Sequence, residues 1–323
     1  MTLRVAVVGV SGIGKHHAKW YHRWDCEVVG FVGTTEESCV RNEKELRCLF
    51  PFTGCGYTDL ASLIDHMAPD IIDVCSPNEM HFEHVSTALD AGCHVLCEKP
   101  LVWNNDSEKI LKMQACQLVE RAKKANKLLA VCTQYAFAMP QYNELYRDMR
   151  GGSVSGSVFS AEMETVARGR VRNSSDIWVD MGSHPLSLLL SLHPDGRVKT
   201  NSLSTHFGSG EARVEFDFET STGNCCVDIV VRDRQVGSPI RRFGVDGFIV
   251  DFMGRPDEFG VYRSVLSRDS DESVGEDFMS LLIKDFCSVV SGERNSPVVS
   301  GEVGLRNLEL QLQVMEAIDS ATL

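Results

Sequence analysis

A strand that runs straight into a glycine loop constrains this chain more than any other feature. Val5-Ala6-Val7-Val8 is a short apolar run, Gly9-Val10-Ser11-Gly12-Ile13-Gly14 is a glycine-rich turn, and the residues from Lys15 read as a helix. Bare glycines let backbone approach a phosphate closely, and free N–H groups at a helix start carry the partial positive charge that holds it. This strand, loop and helix order turns a weak glycine pattern into a dinucleotide signal. Gly9, Ser11, Gly12, Ile13 and Gly14 are therefore candidate cofactor-binding residues, with Ser11 standing where the commonest pattern has its middle glycine.

The frame repeats. Apolar runs at Arg4–Val8, Glu27–Val32, Ile71–Cys75, His94–Cys97 and Leu128–Thr133 alternate with helix-like stretches at Lys15–Arg23, Leu60–His66, Met80–Ala91 and Ser107–Lys124. Such alternation predicts a doubly wound parallel sheet that binds ligands at the carboxyl ends of its strands. Beyond Pro140 the texture changes. Helix-like Gln141–Met149 precedes strand-like runs at Ser157–Thr165, Ala212–Phe218, Cys225–Val231 and Arg241–Val245, with a helix near Ser183–Leu192 and closing periodic segments at Glu276–Val290 and Val303–Ala321. Arg168–Ser175 and Gly254–Gly275 read as loops. The expected class is α/β: an N-terminal Rossmann domain over residues 1–134, then an α+β domain over 135–323, built on a mostly antiparallel open-faced sheet, for substrate binding and oligomerisation. Phe159, Ala161 and Met163 alternate in a way that fits either a core or a subunit interface.

With 323 residues the chain has length enough for two cores. Its formal charge of -13 supplies no basic face for nucleic acid, and no stretch reads as a membrane span or targeting segment. The twelve cysteines are scattered from Cys26 to Cys287 without a CxxC pair. That pattern reads as free thiols of a reducing, cytoplasmic compartment, with no metal site.

Two further motifs carry chemistry. Ala91-Gly92-Cys93-His94-Val95-Leu96-Cys97-Glu98-Lys99-Pro100-Leu101 runs a strand into an acid, a lysine and a proline, which places one ammonium where the backbone stops pairing. Asp180-Met181-Gly182-Ser183-His184 sets a carboxylate four residues before an imidazole, a spacing that shares one face at a helix start. Hydride transfer to or from a secondary alcohol needs a held nicotinamide, a proton acceptor on the oxygen and a group that stabilises developing charge there. Lys99 and His184 are candidates for the last two, with Asp180 orienting the imidazole and Gly182 keeping bulk away from the substrate. A solvated lysine and a core histidine are the bland alternatives.

These motifs, in this order, resemble the Gfo/Idh/MocA family of nicotinamide-dependent sugar and polyol oxidoreductases. Ser300-Gly301-Glu302-Val303-Gly304-Leu305-Arg306 before a last helix extends the resemblance over essentially the whole chain. The resemblance implies His184 as general acid or base, Lys99 as the group that orients and polarises the substrate oxygen, and Asp180 in support. It implies that Ser76-Pro77-Asn78-Glu79-Met80-His81 holds the ribose and nicotinamide side of the cofactor through Asn78 and His81, with Glu98 beside it. Pairing into a homodimer or homotetramer through the second sheet is implied as well.

The second strand ends Phe31-Val32-Gly33-Thr34-Thr35, without the carboxylate that takes the ribose hydroxyls of NAD. Thr34 and Thr35 would meet a 2′-phosphate there, so NADP(H) is favoured over NAD(H), although Glu36 and Glu37 count against it. Three departures from the family pattern bear on substrate. Ser187 stands in place of an aspartate, Ala136 in Gln134-Tyr135-Ala136-Phe137 in place of an arginine, and Ser175-Asp176-Ile177-Trp178-Val179 in place of small residues. Trp178 is thereby a candidate substrate contact. Arg168, Arg170 and Arg172, two residues apart, form either a solvated or oligomer-facing edge or a site for a substrate carboxylate or phosphate, which would make the substrate an anionic sugar. The expected function is hydride exchange between NAD(P) and a secondary alcohol or carbonyl of a sugar, cyclitol or related small molecule. The alternative is a non-catalytic dinucleotide-binding subunit, against which Lys99, Asp180 and His184 argue.

Overall fold

Val5, Ala6, Val7 and Val8 are at most 2% exposed, so strand β1 (Arg4–Val8) is covered on both faces, as a central parallel strand must be. The computed structural model that shows this describes residues 2–166, 169 and 172–322. The chain clusters into two units. One holds the residues up to Cys132 together with Met279–Arg306, and the other holds Thr133–Phe278 together with the residues from Asn307.

In the first unit β1, α1 (Gly14–Arg23), β2 (Glu27–Val32), α2 (Glu36–Leu49), β3 (Cys55–Tyr57), α3 (Leu60–Met67), β4 (Ile71–Val74), α4 (His81–Asp90), β5 (His94–Cys97), α5 (Glu108–Ala125) and β6 (Leu129–Val131) follow in sequence. The six strands pair in parallel in the order β3-β2-β1-β4-β5-β6, the doubly wound Rossmann order. Edge strand β3 is absent from the sequence reading, and of helix α2 only a start at Glu36 and Glu37 is legible there. Only Ser38, Cys39, Asn42 and Leu46 of α2 are buried, too sparse a stripe to announce a helix. Its start is set instead by a reciprocal cap between Thr35 and Ser38.

The two units are not contiguous stretches of chain. Residues 279–306 belong with the Rossmann sheet: the Trp24 indole donates to Ser280 O at 3.1 Å, Cys26 Sγ lies 3.7 Å from Cys287 Sγ, and Ala130 bridges Ser300. Helix α9 (Phe278–Val290) supplies most of this segment. An amphipathic helix docks wherever its apolar stripe finds cover, irrespective of chain order.

The second unit carries α6 (Ala138–Arg150), β7 (Val158–Val166), α7 (Ser174–Met181), α8 (Ser183–Leu192), β8 (Arg197–Val198), β9 (Ser204–Gly208), β10 (Glu211–Thr220), β11 (Gly223–Arg234), β12 (Arg241–Val245), β13 (Phe248–Pro256), β14 (Tyr262–Arg268) and β15 (Asp271–Glu276). Its sheet runs β15-β14-β13-β12-β7-β11-β10-β8, with β9 beside β10. The β7–β11 pair is parallel and the others are antiparallel. Residues 254–275, expected as a loop, are therefore largely strand. Ion pairs Arg255–Glu272 and Arg263–Glu276 hold these hairpins, and such charges blur the alternation that reveals strands in sequence.

Phe159, Ala161 and Met163 are at most 5% exposed. They line the core face of the sheet with Val214, Ile229, Phe243 and Val250, each buried Val, Ile, Phe or Met stabilising by about 1.5–3 kcal/mol. The other face carries charge, with Arg232 paired to Glu162 and Arg213 to Asp228. Helix α10 (Gly301–Thr322) closes the chain. Among the described residues no helix is long and apolar enough to cross a membrane, and the twelve cysteines are free thiols.

Candidate active site

The loop after β1 separates glycines that the protein itself requires from one that it does not. Gly9 has φ +89°, and a Cβ there would lie 2.7 Å from Cys75 O; a Cβ on Gly14 would lie 2.2 Å from Gly9 O. Both are fixed by backbone packing. Gly12 would meet nothing within 4 Å, so its bareness leaves open space against the loop. The N-cap of α1, Ile13, has no side-chain cap. A short, open backbone at an uncapped helix start fits the pyrophosphate of a dinucleotide.

At the end of β2, Thr34 and Thr35 are exposed. The Thr35 hydroxyl accepts from Ser38 N at 3.1 Å, and Thr34 Oγ1 lies 3.4 Å from Ser38 Oγ. Their first task is the α2 cap, and Thr34 is the less committed of the two.

The strand ends of β4 and β5 are tied together by His81. Its Nδ1 lies 2.8 Å from Pro100 O and its Nε2 3.0 Å from Ser76 O, with the side chain fully buried. Burial lowers its pKa despite those carbonyls. The ring thus braces the turn of Ser76, Pro77 and Asn78 against that of Glu98, Lys99 and Pro100, and both its nitrogens are already used by backbone. Glu98 accepts from Lys99 N at 3.1 Å, which makes the turn compact and leaves Lys99 partly exposed.

Sequence reasoning missed what lies beneath. His17, on the buried side of α1, places Nδ1 2.9 Å from Asp73 Oδ2 and Nε2 3.3 Å from Glu98 Oε1, the latter a charge contact out of line for a hydrogen bond. Burial would depress the imidazole, but the charge and hydrogen bond of Asp73 and the charge of Glu98 raise it to about 10. Glu98 is conversely penalised by burial and held low by His17 and Lys99. Cys75 and Cys132 are pushed up by burial and by the same two carboxylates, which keeps them as thiols. The readable signal was Asp73 itself, an acid inside the apolar run Ile71-Ile72-Asp73-Val74, since a fully buried carboxylate demands a partner.

In the second unit, Asp180 and His184 sit in successive helices, α7 and α8, joined at Gly182, rather than at the start of a single helix. A Cβ on Gly182 would lie 2.7 Å from Trp178 O and 2.9 Å from its ring, so that glycine admits Trp178. Trp178 is fully buried and donates to Gln311 O at 3.3 Å. It is a core residue with no surface to offer a substrate. Ser187 donates to His184 O at 2.7 Å, and Asn307 to Ser183 O at 2.9 Å, fixing the first turn of α8 from both sides. Asp180 accepts from Arg172 Nη1 at 2.8 Å, while the rest of that guanidinium binds Asp233. These two carboxylates hold Arg172 charged, which makes it a structural clamp. Arg168 and Arg170 lie outside the described residues.

His184 is 7% exposed, and its ring lies 4.9 Å from that of Tyr135. The Tyr135 hydroxyl accepts from Arg241 Nη1 at 3.0 Å. Burial raises the phenol, outweighing Arg241, so Tyr135 is neutral. Tyr135 and Arg241 were not singled out from sequence. They lie far apart in the chain and meet only through the register of β12 on β7, where Arg241 faces Met163.

A parallel sheet in Rossmann order and an open glycine loop at an uncapped helix are the features of a dinucleotide-binding Rossmann domain, here with a lysine turn at the end of β5. Residues 3–133 match the Gfo/Idh/MocA family model, described as an oxidoreductase family with an NAD-binding Rossmann fold. It is 30% identical over 170 residues to D-glucoside 3-dehydrogenase of Escherichia coli, covering 51% of this chain and 44% of that relative. It is 23% identical to UDP-N-acetylglucosamine 3-dehydrogenase of Acidithiobacillus ferrooxidans over 98% of both chains, whose crystal structure superposes with TM-score 0.71 and 20% identity, again over 98% of each. An inositol dehydrogenase homologue from Azotobacter vinelandii, complexed with NAD+, superposes with TM-score 0.71 at 18% identity, over 99% of this chain and 96% of that one. These superpositions concern the fold.

Proposed function

We propose that this protein exchanges hydride between a nicotinamide dinucleotide, NADP(H) in preference to NAD(H), and a secondary alcohol or carbonyl of a sugar, cyclitol or related small molecule. The observation that carries the reading is the open backbone at Gly12, which no neighbouring protein atom accounts for. The dinucleotide, when bound, supplies the hydride acceptor or donor. Gly9, Ser11, Gly12, Ile13 and Gly14 hold its pyrophosphate; Ser76, Pro77, Asn78 and Glu98 border the nicotinamide side; His81 acts by bracing that border.

Lys99 donates a hydrogen bond to the substrate oxygen and stabilises the charge that develops there. His184 takes the hydroxyl proton during oxidation and returns it during reduction, with Asp180 supporting it from the end of α7. His17 and Asp73 act indirectly by fixing Glu98. The protein works in the cytoplasm as a homodimer or homotetramer, paired through the charged face of the second sheet.

Titration of the intact protein with NADPH and NADH, followed by a screen of polyols and sugar carbonyls, tests the reading. Saturable binding of a nicotinamide dinucleotide and its oxidation or reduction with at least one such compound is expected. Absence of saturable binding of either dinucleotide would overturn it.

A further inference from the structure

At one end of the second sheet lies a cavity of about 720 Å³, within the roughly 300–1,000 Å³ usual for small-molecule sites. Gln134, Arg241, Phe252, Tyr262 and Asp277 line it. Arg241 shares its face of β12 with the fully buried Phe243 and Val245, so the guanidinium enters from the core side. Arg242 and Asp251 line the same cavity but are paired with each other at 3.0 Å.

Among the described residues Arg241 makes no ion pair. Its partner is the neutral Tyr135 hydroxyl, and its buried Nε has no acceptor. A guanidinium cannot shed its proton, and a half-buried cation without a counter-charge is costly. Asp277 shares the wall. Tyr135 touches both Arg241 and the ring of His184, so the cation stands one aromatic ring away from the proposed proton acceptor.

We infer that Arg241 binds the carboxylate or phosphate of an anionic sugar, and so sets substrate class at the site proposed above. The inference rests on that reading for the site's purpose, though not for its chemistry. A planar guanidinium offers paired donors to either anion, with Tyr135 holding its orientation. This assigns the anionic end of the substrate to a strand residue, independently of Arg168 and Arg170.

The test is calorimetric titration of the full chain, saturated with NADPH, using D-glucuronate, D-glucose 6-phosphate and D-glucose at matched ionic strength. At least one anionic probe is expected to bind ten times more tightly than glucose. Arg241→Gln abolishes that preference, Arg241→Lys keeps part of it, and Arg242→Gln leaves it whole. Melting curves establish that the variants are folded, and the lysine variant reports charge should the glutamine variant fail to fold. No binding of either anion in the millimolar range, equal binding of anions and glucose, or a preference that survives Arg241→Gln would each overturn the inference. Anion preference through Arg241 without turnover of any sugar would remove the oxidoreductase reading and leave the subsite. Turnover that needs Lys99 without anion preference would do the reverse.

Discussion

His17 Nδ1 and Asp73 Oδ2 lie 2.9 Å apart with neither side chain exposed, a buried ion pair directly under the glycine loop. Removing one partner of such a pair typically costs about 3–5 kcal/mol, because the other charge stays buried alone. The His17→Gln variant is expected to lose stability on that scale in urea unfolding at pH 7. The pH dependence has a definite sign. The unfolded imidazole titrates near 6.5 and the folded one at about 10, so the contribution is complete below the lower value and is lost as pH rises through the upper. Between pH 8 and pH 10 the unmodified protein should lose more stability than His17→Gln; parallel curves would mean that His17 is neutral in the fold.

The two kinds of glycine in the loop make a second expectation. A Cβ at residue 14 would sit 2.2 Å from Gly9 O, whereas one at residue 12 meets nothing. Gly14→Ala should destabilise the protein by about 1–3 kcal/mol, the usual cost of overpacking. Gly12→Ala should melt like the unmodified protein and lose dinucleotide affinity by tenfold or more. Undiminished affinity in a folded Gly12→Ala variant would move the pyrophosphate off this loop.

Legibility from sequence followed a physical divide. Gly9, Gly14 and Lys99 were readable because backbone conformation and strand ends dictate where those residue types belong. Asp73 was visible as an acid in an apolar run, but its partner His17 comes from another element. Arg241 and Tyr135 depended on strand register, and the Arg172–Asp180 pair on the meeting of a loop with α7; sequence spacing encodes neither. The length of helix α2 was hidden by its polar surface. Trp178 drew attention as an unexpected aromatic beside a proposed site; its indole is buried and donates to Gln311.

Cofactor preference gives a third expectation, with the structure selecting the variant. A Cβ at Gly33 would press on Cys39 Sγ at 2.9 Å and Ser38 Oγ at 3.0 Å, so a carboxylate there would disturb the α2 cap. Thr34 is exposed and accepts the change. The unmodified protein should bind NADPH more tightly than NADH, and Thr34→Asp should reverse the order by placing a charge against the 2′-phosphate. Dissociation constants measured side by side decide it; tighter NADH binding by the unmodified protein would end the preference for NADP(H).

The roles of Lys99 and His184 give the last expectation. Each is supported within its own unit: the Lys99 N–H donates to the Glu98 carboxylate at 3.1 Å, and His184 opens a helix whose first carbonyls accept from Ser187 and Asn307. Side-chain replacement should therefore remove chemistry while sparing the fold. Lys99→Met and His184→Ala should each lower kcat by about 10²–10⁴, the range for positioned acid–base and electrostatic groups, with dinucleotide affinity nearly unchanged because the glycine loop carries it. His184→Ala should also flatten the pH profile of kcat/KM on the limb that reports the general base, a change that Lys99→Met does not make. Near-normal turnover in both variants would place the proton transfer on other residues, and loss of dinucleotide binding in either would turn its role from chemistry to cofactor attachment.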